Sequence, residues 1–292
     1  MINKHINGNL HLPLISVVIA TYNAEATVEK AVLSVLDQTY PSIELIIVDG
    51  VSNDLTLTKV NKHIDDRVTI ITERDLGIYD AWNKGVKLSS GEWLIFIGAD
   101  DYFTKKTSLA ELWENTIHLA NIDLINVVYG RLIALDKNGL AMGIVGDKWR
   151  DPWTFSGRFF RANFPIPIMA SLIRKKAIVK AGGFNLNYTI IADIDLVLKI
   201  AKKDPPIYLG NIDVTSMGYG GVSTKPEKAL LLLKESFLVR KSHGLGAFSN
   251  FGFLMLSLKQ NIKYVVLTYF GSSIADKMMH GFHGLKRFII KQ

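Results

Sequence analysis

Runs of apolar residues alternate with amphipathic segments over the first hundred residues of the chain. Four runs, residues 15–20, 43–48, 68–72 and 93–97, are rich in apolar side chains, as expected for strands covered on both faces. Because strand and helix patterns alternate at short intervals, the sequence predicts an α/β fold with a mostly parallel sheet and helices on both faces. The predicted helices cover residues 24–36, the stretch from the capping residues 52–54 to residue 63, and residues 78–88.

The pattern is less regular after residue 101. A strand is predicted over residues 124–135, interrupted at Gly130, and a turn follows at residues 136–139. Residues 149–167 are rich in aromatic residues, arginine and proline, and they show no clear period. The remaining predicted elements are a helix over residues 108–119, a strand over 171–174, a helix from Lys175, a helix over 194–201 and a strand over 207–215.

The C-terminal segment, residues 225–292, differs from the rest of the chain in charge. It contains 11 Lys and Arg against 3 Asp and Glu, whereas residues 1–224 contain 23 against 24. Its two most apolar stretches, residues 248–258 and 262–270, are shorter than the roughly 20 residues that span a bilayer. A basic, apolar tail favours peripheral contact with an anionic membrane, whereas a nucleic-acid-binding core would carry the basic charge itself. The alternatives are helices that complete the core or form a homo-oligomer interface.

The amino-acid composition limits the kinds of site that the chain can form and the cellular compartment in which we expect it. The chain has no cysteine, which excludes disulfides, thiolate zinc sites and cysteine nucleophiles and fits a reducing compartment. Residues 1–12 are polar and lack the apolar stretch of a secretory signal, so we expect a cytoplasmic protein, peripheral on the inner face of the cell membrane. Asp276, His280 and His283 have a spacing that permits a metal site on a helix, but a basic amphipathic tail is favoured.

Polar residues follow all four of the first predicted strands. They are Thr21-Tyr22-Asn23, Asp49-Gly50, Glu73-Arg74-Asp75 and Asp100-Asp101. In open parallel sheets, ligands bind beyond the carboxyl ends of the strands, where these groups would meet. Taken singly, each group is explained by a helix cap or a turn, but four groups at four strand ends favour a binding site.

The adjacent carboxylates of Asp100 and Asp101 indicate what this site binds. Two carboxylates facing a cleft repel each other unless a cation lies between them and their ligand. Mg²⁺ and Mn²⁺ prefer such oxygen ligands and complete their coordination with substrate phosphates, so the expected ligand is a nucleoside diphosphate. Neither a Walker A pattern nor G-x-G-x-x-G occurs near the first strand, which disfavours kinase, ATPase and dehydrogenase functions.

The same stretches, taken together and in order, resemble the nucleotide-binding half of the family 2 glycosyltransferases, which have the Rossmann-like GT-A fold. The matching segments are residues 16–23 (SVVIATYN), 44–50 (ELIIVDG), 75–85 (DLGIYDAWNKG) and 91–101 (GEWLIFIGADD). The resemblance implies a GT-A catalytic domain over residues 1–224, followed by a helical, partly amphipathic extension over residues 225–292. Within that domain, it implies a nucleotide-binding half over residues 14–102 and an acceptor half over residues 103–224.

The resemblance also implies a role for each polar residue of the donor site. Thr21 and Tyr22 would flank the nucleobase, with Tyr22 packed on it, and Asp49 would accept a hydrogen bond from the base. Asp100 would approach the ribose, and Asp101 would bind the metal ion, Mg²⁺ or Mn²⁺, directly. Three further residues would line the donor pocket, namely Arg74, Asp80 and Lys84. For Lys84, a solvated helix face is the alternative.

The general base is expected in the second half of the catalytic domain. Residues 191–199 resemble the family segment in which an acidic pair precedes an amphipathic helix, and the usual Glu-Asp is Ala192-Asp193 here. The matched base is therefore Asp193. Asp195 is the alternative, but a residue two positions further on does not share the same helical face, so we expect it to cap or brace the helix.

The function implied by the resemblance is that of an inverting, metal-dependent glycosyltransferase. It would move a sugar from a nucleotide-sugar, most simply UDP-linked, to a hydroxyl of a glycan or lipid-linked glycan acceptor in cell-surface polysaccharide biosynthesis. Such chemistry needs a base for the acceptor hydroxyl and a cation for the leaving diphosphate. Two other classes fit the same residues: a catalytically silent nucleotide-binding scaffold protein, and a nucleotidyltransferase that would release pyrophosphate.

Overall fold

The structure is a computed structural model that describes residues 12–153, 164–218 and 228–245. The two apolar stretches predicted in the C-terminal tail lie outside the described residues, as does the alternative metal site at Asp276. Among the described residues, no helix is long and apolar enough to cross a membrane.

The chain forms two compact units, each described by itself. The first contains residues 1–151 and 161–219, and the second contains residues 152–160 and 220–292. The second unit includes one helix whose bounds are described, Ala229–Ser242. In the same unit, the indole N–H of Trp153 donates a hydrogen bond to the carbonyl of His243 at 3.0 Å. The site described below belongs entirely to the first unit.

Four parallel strands form the first half of a single sheet. They are β1 (Ile15–Thr21), β2 (Ile43–Asp49), β3 (Val68–Thr72) and β4 (Trp93–Gly98). They lie side by side in the order β3-β2-β1-β4, with every neighbouring pair parallel. All residues of β4 and nearly all of β1 and β2 are buried, because helices cover both faces of the sheet. This arrangement confirms the α/β fold that the apolar runs predict.

The three helices that connect these strands are α1 (Val28–Leu36), α2 (Thr56–Asn61) and α3 (Ile78–Leu88). Helix α3 has the predicted bounds, whereas α1 begins four residues later than predicted. The reason is that the loop after β1 bonds to the loop after β2 instead of entering a helix at once. The N–H of Asn23 donates to Ser52 Oγ at 2.9 Å, and the N–H of Glu25 donates to Asp54 Oδ2 at 3.1 Å.

The second half of the sheet is mixed. Its strands are β5 (Tyr102–Phe103), β6 (Val127–Leu135), β7 (Ala141–Val145), β8 (Ser171–Arg174) and β9 (Ile207–Met217). Strand β8 pairs antiparallel with β4 and with β6, and the order then continues β6-β9-β5. Strand β7 pairs with β6, and the register of β6 against β9 shifts around Gly130, where the sequence predicts an interruption. The helices of this half are α4 (Ser108–Ile117), α5 (Lys175–Lys180) and α6 (Ala192–Ala201), and the helix of the second unit is α7.

The two faces of β4 show how the core is divided. Trp93, Ile95 and Ile97 are buried in the cluster that contains the apolar side of α1. Phe96 points to the other face, where its ring lies 5.3 Å from that of Trp82 in α3. Burying a large apolar side chain contributes roughly 1.5–3 kcal/mol, so a strand buried on both faces is held strongly in place.

Helix α3 lies so close to β1 that only glycine fits at their point of contact. A Cβ atom on Gly85 would lie 2.3 Å from Val18 Cγ1, which is far inside van der Waals contact. Val18 itself is fully buried. The glycine therefore sets the distance between α3 and the sheet, and with it the position of both ends of the helix.

Replacing Gly85 with alanine tests this contact. We expect Gly85→Ala to lower the free energy of unfolding by about 1–3 kcal/mol, because the added methyl group overpacks the contact with Val18. Urea unfolding measures the change, with Gly143→Ala as the matched control, since no atom lies within 4 Å of a Cβ at Gly143. The control should change stability by less than about 0.5 kcal/mol. Equal stability of the two variants would contradict close packing at Gly85.

Candidate active site

The parallel register brings the predicted polar groups to one edge of the sheet. Thr21 pairs with Asp49 across β1 and β2, and Ala20 pairs with Gly98 across β1 and β4. The end of β3 joins them, because the N–H of Glu73 donates to the Asp49 carbonyl at 3.0 Å. The acidic pair Asp100-Asp101 follows directly after β4, so all four groups lie along the same edge.

The two carboxylates of the acidic pair have different surroundings. Asp101 is buried, and its carboxylate accepts two backbone N–H groups, from Gly98 at 3.0 Å and from Gly218 at 3.2 Å. Asp100 is exposed. Because α4 begins at Ser108, several residues later, the pair does not cap the following helix. The alternative explanation by helix capping is therefore wrong.

The carboxylates of Asp100 and Asp101 both lie against Gly98, where a side chain would clash with them. A Cβ atom on Gly98 would lie 2.8 Å from Asp100 Oδ1 and 2.8 Å from Asp101 Oδ2. Burial, and after it the charge of Asp100, raise the pKa of Asp101 to about 7. The buried carboxyl is thus poorly stabilised as an anion by the protein alone.

A hard divalent cation fits this pair. Two converging carboxylate oxygens are donors that Mg²⁺ and Mn²⁺ prefer, and a positive charge beside them would remove the repulsion that raises the pKa of Asp101. Within the parts of the chain that the structure describes, no group of three or more His, Asp and Glu side chains is placed to hold a metal. An ion held by Asp100 and Asp101 would have no third carboxylate or imidazole ligand among the described residues, which leaves coordination positions for water or a bound substrate.

Gly50 lies next to the exposed ring of Tyr22 and the carboxylate of Asp75. A Cβ atom on Gly50 would lie 3.4 Å from Tyr22 Cδ2 and 2.7 Å from Asp75 Oδ2, so a side chain here would clash with the Asp75 carboxylate. Asp75 is itself oriented, because its Oδ1 accepts the N–H of Gly77 at 2.8 Å. The sequence did not single out Asp75 as a site residue, although it lies in one of the matching segments.

Thr21 and Asp49 are buried at the same edge. Thr21 Oγ1 has no hydrogen-bond partner among the described residues. Asp49 accepts the N–H of Ser52 at 2.9 Å and the Ser52 hydroxyl at 2.5 Å, so its carboxylate orders the loop that follows β2. Asn23 also bonds to this loop, since its Oδ1 accepts the N–H of Asn53, and it does not cap α1. The contact of Asp49 with a base stays a prediction.

Lys84 braces the loop between β3 and α3. Its Nζ lies 2.6 Å from the carbonyl oxygen of Arg74, 3.0 Å from Glu73 Oε1 and 3.4 Å from Asp80 Oδ2. Asp80 adds a second bond to the loop by accepting the N–H of Leu76 at 3.1 Å. The Lys84 amino group is therefore tied to the loop rather than displayed on a solvated helix face. The side chain of Arg74 is exposed.

Asp193 and Asp195 have different surroundings. Asp193 is half-buried in the first turn of α6, and its Oδ1 lies 2.9 Å from the hydroxyl of Tyr79. Asp195 is buried and forms an ion pair with Lys199 at 2.8 Å, one turn further along the helix. This ion pair is the bracing contact expected of Asp195. Tyr79 was not predicted, because no local pattern connects it with a residue more than a hundred positions away.

The sequence comparison shows the family. The sequence model described as "Glycosyl transferase family 2" matches residues 16–177, and the chain belongs to this family. A relative from Mycobacterium bovis, "PGL/p-HBAD biosynthesis glycosyltransferase", is 29% identical over 216 residues, which cover 72% of this chain and 79% of the relative. The Escherichia coli protein "UDP-Glc:alpha-D-GlcNAc-diphosphoundecaprenol beta-1,3-glucosyltransferase WfgD" is 32% identical over 128 residues, or 44% of this chain and 49% of that protein.

Solved structures show the fold. The mannosyltransferase PcManGT from Pyrobaculum calidifontis, in complex with GDP-Man and Mn²⁺, superposes with a TM-score of 0.62 at 16% identity and covers 94% of this chain and 81% of its own. A structure of S. aureus TarS in complex with UDP-GlcNAc gives a TM-score of 0.59 at 15% identity, over 88% of this chain and 73% of that one. This chain spans 44% of the longer TarS structure. These likenesses confirm the GT-A fold.

The raised pKa of Asp101 predicts how stability depends on pH without metal. Since the folded-state pKa of about 7 exceeds the usual value of 3.8, the stability from the protonated carboxyl is complete below pH 3.8 and is lost as pH rises through 7. In EDTA, the free energy of unfolding of the wild type should decrease as the pH rises from 4 to 8. This decrease should be larger than that of Asp101→Asn by on the order of 4 kcal/mol. Urea unfolding across this range measures how the free energy of unfolding of each protein changes with pH. An equal change in the two proteins would contradict the raised pKa of Asp101.

Proposed function

We propose that this glycosyltransferase is an inverting, metal-dependent enzyme that moves a sugar from a UDP-sugar to a hydroxyl of a glycan or lipid-linked glycan acceptor. The observation that carries the proposal is the close approach of the Asp100 and Asp101 carboxylates to the same point beside Gly98. UDP is favoured because WfgD is named for a UDP-sugar and TarS was solved with one. The names of the two curated relatives support an acceptor in surface glycolipid or polysaccharide synthesis.

Within the proposed donor site, one group of residues binds the nucleobase and another binds the ribose and the metal ion at the diphosphate. The exposed ring of Tyr22, next to Gly50 and Asp75, offers a surface on which a flat nucleobase can pack. Thr21 and Asp49 offer polar groups beneath it, and the buried Thr21 hydroxyl has no hydrogen-bond partner in the described part of the chain. Arg74, Asp80 and Lys84 are proposed to shape the loop that borders this surface.

The two carboxylates of the acidic pair are proposed to have different ligands: Asp101 binds the metal ion and Asp100 binds the ribose. Asp101 suits direct metal binding because two backbone N–H groups fix the direction of its carboxylate. Asp100 is exposed, so its side chain is free to accept hydrogen bonds from ribose hydroxyls. Mg²⁺ or Mn²⁺ held here would stabilise the negative charge of the leaving nucleoside diphosphate.

Asp193 is proposed as the general base. Its carboxylate takes the proton from the acceptor hydroxyl, whose oxygen forms a bond to the anomeric carbon while the bond from that carbon to the diphosphate oxygen breaks. Attack from the face opposite the leaving group inverts the anomeric centre. Asp193 suits this role better than Asp195, because Asp195 is buried and paired with Lys199.

The division of the chain and its location stay proposals. Residues 1–224 are proposed as the catalytic domain, and the basic charge of residues 225–292 supports peripheral contact with an anionic membrane on the cytoplasmic side. Flotation of the full chain with neutral and anionic vesicles tests the contact. Equal partitioning onto both kinds of vesicle would contradict it, and a homo-oligomer interface would then be the better use of the segment.

Substitution of Asp193 tests the proposed reaction. In the presence of Mn²⁺ and a panel of nucleotide-sugars, we expect Asp193→Asn to reduce sugar transfer by about 10²–10⁴-fold, because the amide cannot accept the hydroxyl proton. The Kd for UDP should stay within about twofold, since no bond to the donor is removed. Asp213→Asn is the matched control, because Asp213 pairs with Arg131 through a half-buried ion pair outside the proposed site.

Three outcomes would count against this account. Full transfer by Asp193→Asn would rule out Asp193 as the base. Release of pyrophosphate in place of UDP would indicate a nucleotidyltransferase. Binding of UDP by the wild type without transfer to any acceptor tested would indicate a silent nucleotide-binding protein.

A further inference from the structure

We propose that Tyr79 is a positioning residue that holds the Asp193 carboxyl through a hydrogen bond in both of its protonation states. The proposal rests on the proposed function, in which Asp193 is the general base. Tyr79 lies in α3, on the donor side of the site, whereas Asp193 lies in α6. The contact therefore joins the two halves of the proposed reaction.

The Tyr79 hydroxyl has two acceptors within hydrogen-bond distance. Its oxygen lies 2.6 Å from the carbonyl oxygen of Ile190 and 2.9 Å from Asp193 Oδ1. Ile190 lies just before α6, so one hydroxyl contacts both the loop that leads into the helix and the carboxylate at its start. The hydroxyl has a single proton, and it cannot donate a full hydrogen bond to both acceptors at once.

The tyrosine ring is held too firmly to follow a moving partner. It is buried, stacks on Phe184 at 5.6 Å with 23° between the planes, and meets the edge of Trp82 at 5.6 Å. Phe184 is fixed in turn by Asn83, whose side chain bonds its N–H at 2.8 Å and its carbonyl at 2.9 Å. The hydroxyl oxygen therefore stays at one point while its proton rotates.

This geometry matches the two states of a general base. When Asp193 is ionised, the Tyr79 proton points to Asp193 Oδ1 and stabilises the anion. When the carboxylate has taken the proton of the acceptor hydroxyl on Oδ1, that O–H donates to the Tyr79 oxygen, and the Tyr79 proton turns to the Ile190 carbonyl. Tyr79 keeps its own proton in both states. The hydrogen bond persists in both states, and no heavy atom has to move.

The variant Tyr79→Phe tests the proposal, because it removes the hydroxyl and keeps the ring. We expect kcat for transfer to fall about tenfold or more, since the carboxylate loses its orientation, while the KM for the nucleotide-sugar and the Kd for UDP stay within about twofold. Tyr40→Phe is the matched control. Tyr40 is also buried, and its hydroxyl donates to the Pro13 carbonyl at 2.7 Å, outside the site.

Wild-type kcat in Tyr79→Phe would overturn the proposal. So would a fall in kcat that Tyr40→Phe reproduces at the same loss of thermal stability, because the effect would then be structural.

A double-mutant cycle with Asp193→Asn separates this proposal from the base assignment. If Tyr79 acts through Asp193, adding Tyr79→Phe to Asp193→Asn changes the residual transfer rate by less than about twofold. An equal fall in both backgrounds would contradict the positioning role and leave Asp193 as the base. Full transfer by Asp193→Asn alone would remove the base assignment, and the positioning role would fall with it.

Discussion

The close contact of Gly85 with Val18 is the constraint on which the site depends. It lays α3 against β1, so the start of the helix lies near the edge where β1, β2 and β4 end. From this fixed helix, Lys84 holds the loop between β3 and α3, which borders the proposed donor site, and Tyr79 reaches the start of α6. One helix thus positions residues of both the proposed donor side and the proposed acceptor side. A shift of α3 would disturb both at once, which explains why a glycine occupies the point of closest approach.

The acidic pair adds an electrostatic requirement to this scaffold. Asp101 is buried between the end of β4 and Gly218, and its two backbone hydrogen bonds do not offset burial and the charge of Asp100. The site is therefore unfavourable as an anionic pair alone, and a cation beside the two carboxylates would relieve this cost. A fold that only needed stability would not place a second carboxylate beside a buried one. This geometry supports the proposal that the function uses a divalent ion and a phosphate-bearing ligand.

The sequence predicted the elements that depend on local pattern. Strands β1 to β4 and helix α3 are recognisable because apolar side chains are needed on both strand faces and on one helix face. The start of α1 was misplaced because Asn23 and Glu25 bond to a neighbouring loop. Strands β5 and β7 were missed, since one has two residues and the other is exposed along its whole length. The surroundings of Asp101 and Asp193 depend on Gly218 and Tyr79, which are distant in sequence, so no local pattern reveals them.

The central claim is that Asp101 holds a divalent ion that in turn binds the donor diphosphate. Titration calorimetry of UDP with the full chain, in Mn²⁺ and in EDTA, measures this directly. The account predicts that Mn²⁺ strengthens UDP binding by the wild type about tenfold or more, a gain of at least about 1.4 kcal/mol. It also predicts that Asp101→Ala, shown to be folded by its unfolding transition, binds UDP equally in both buffers. The same gain in Asp101→Ala as in the wild type would contradict the claim.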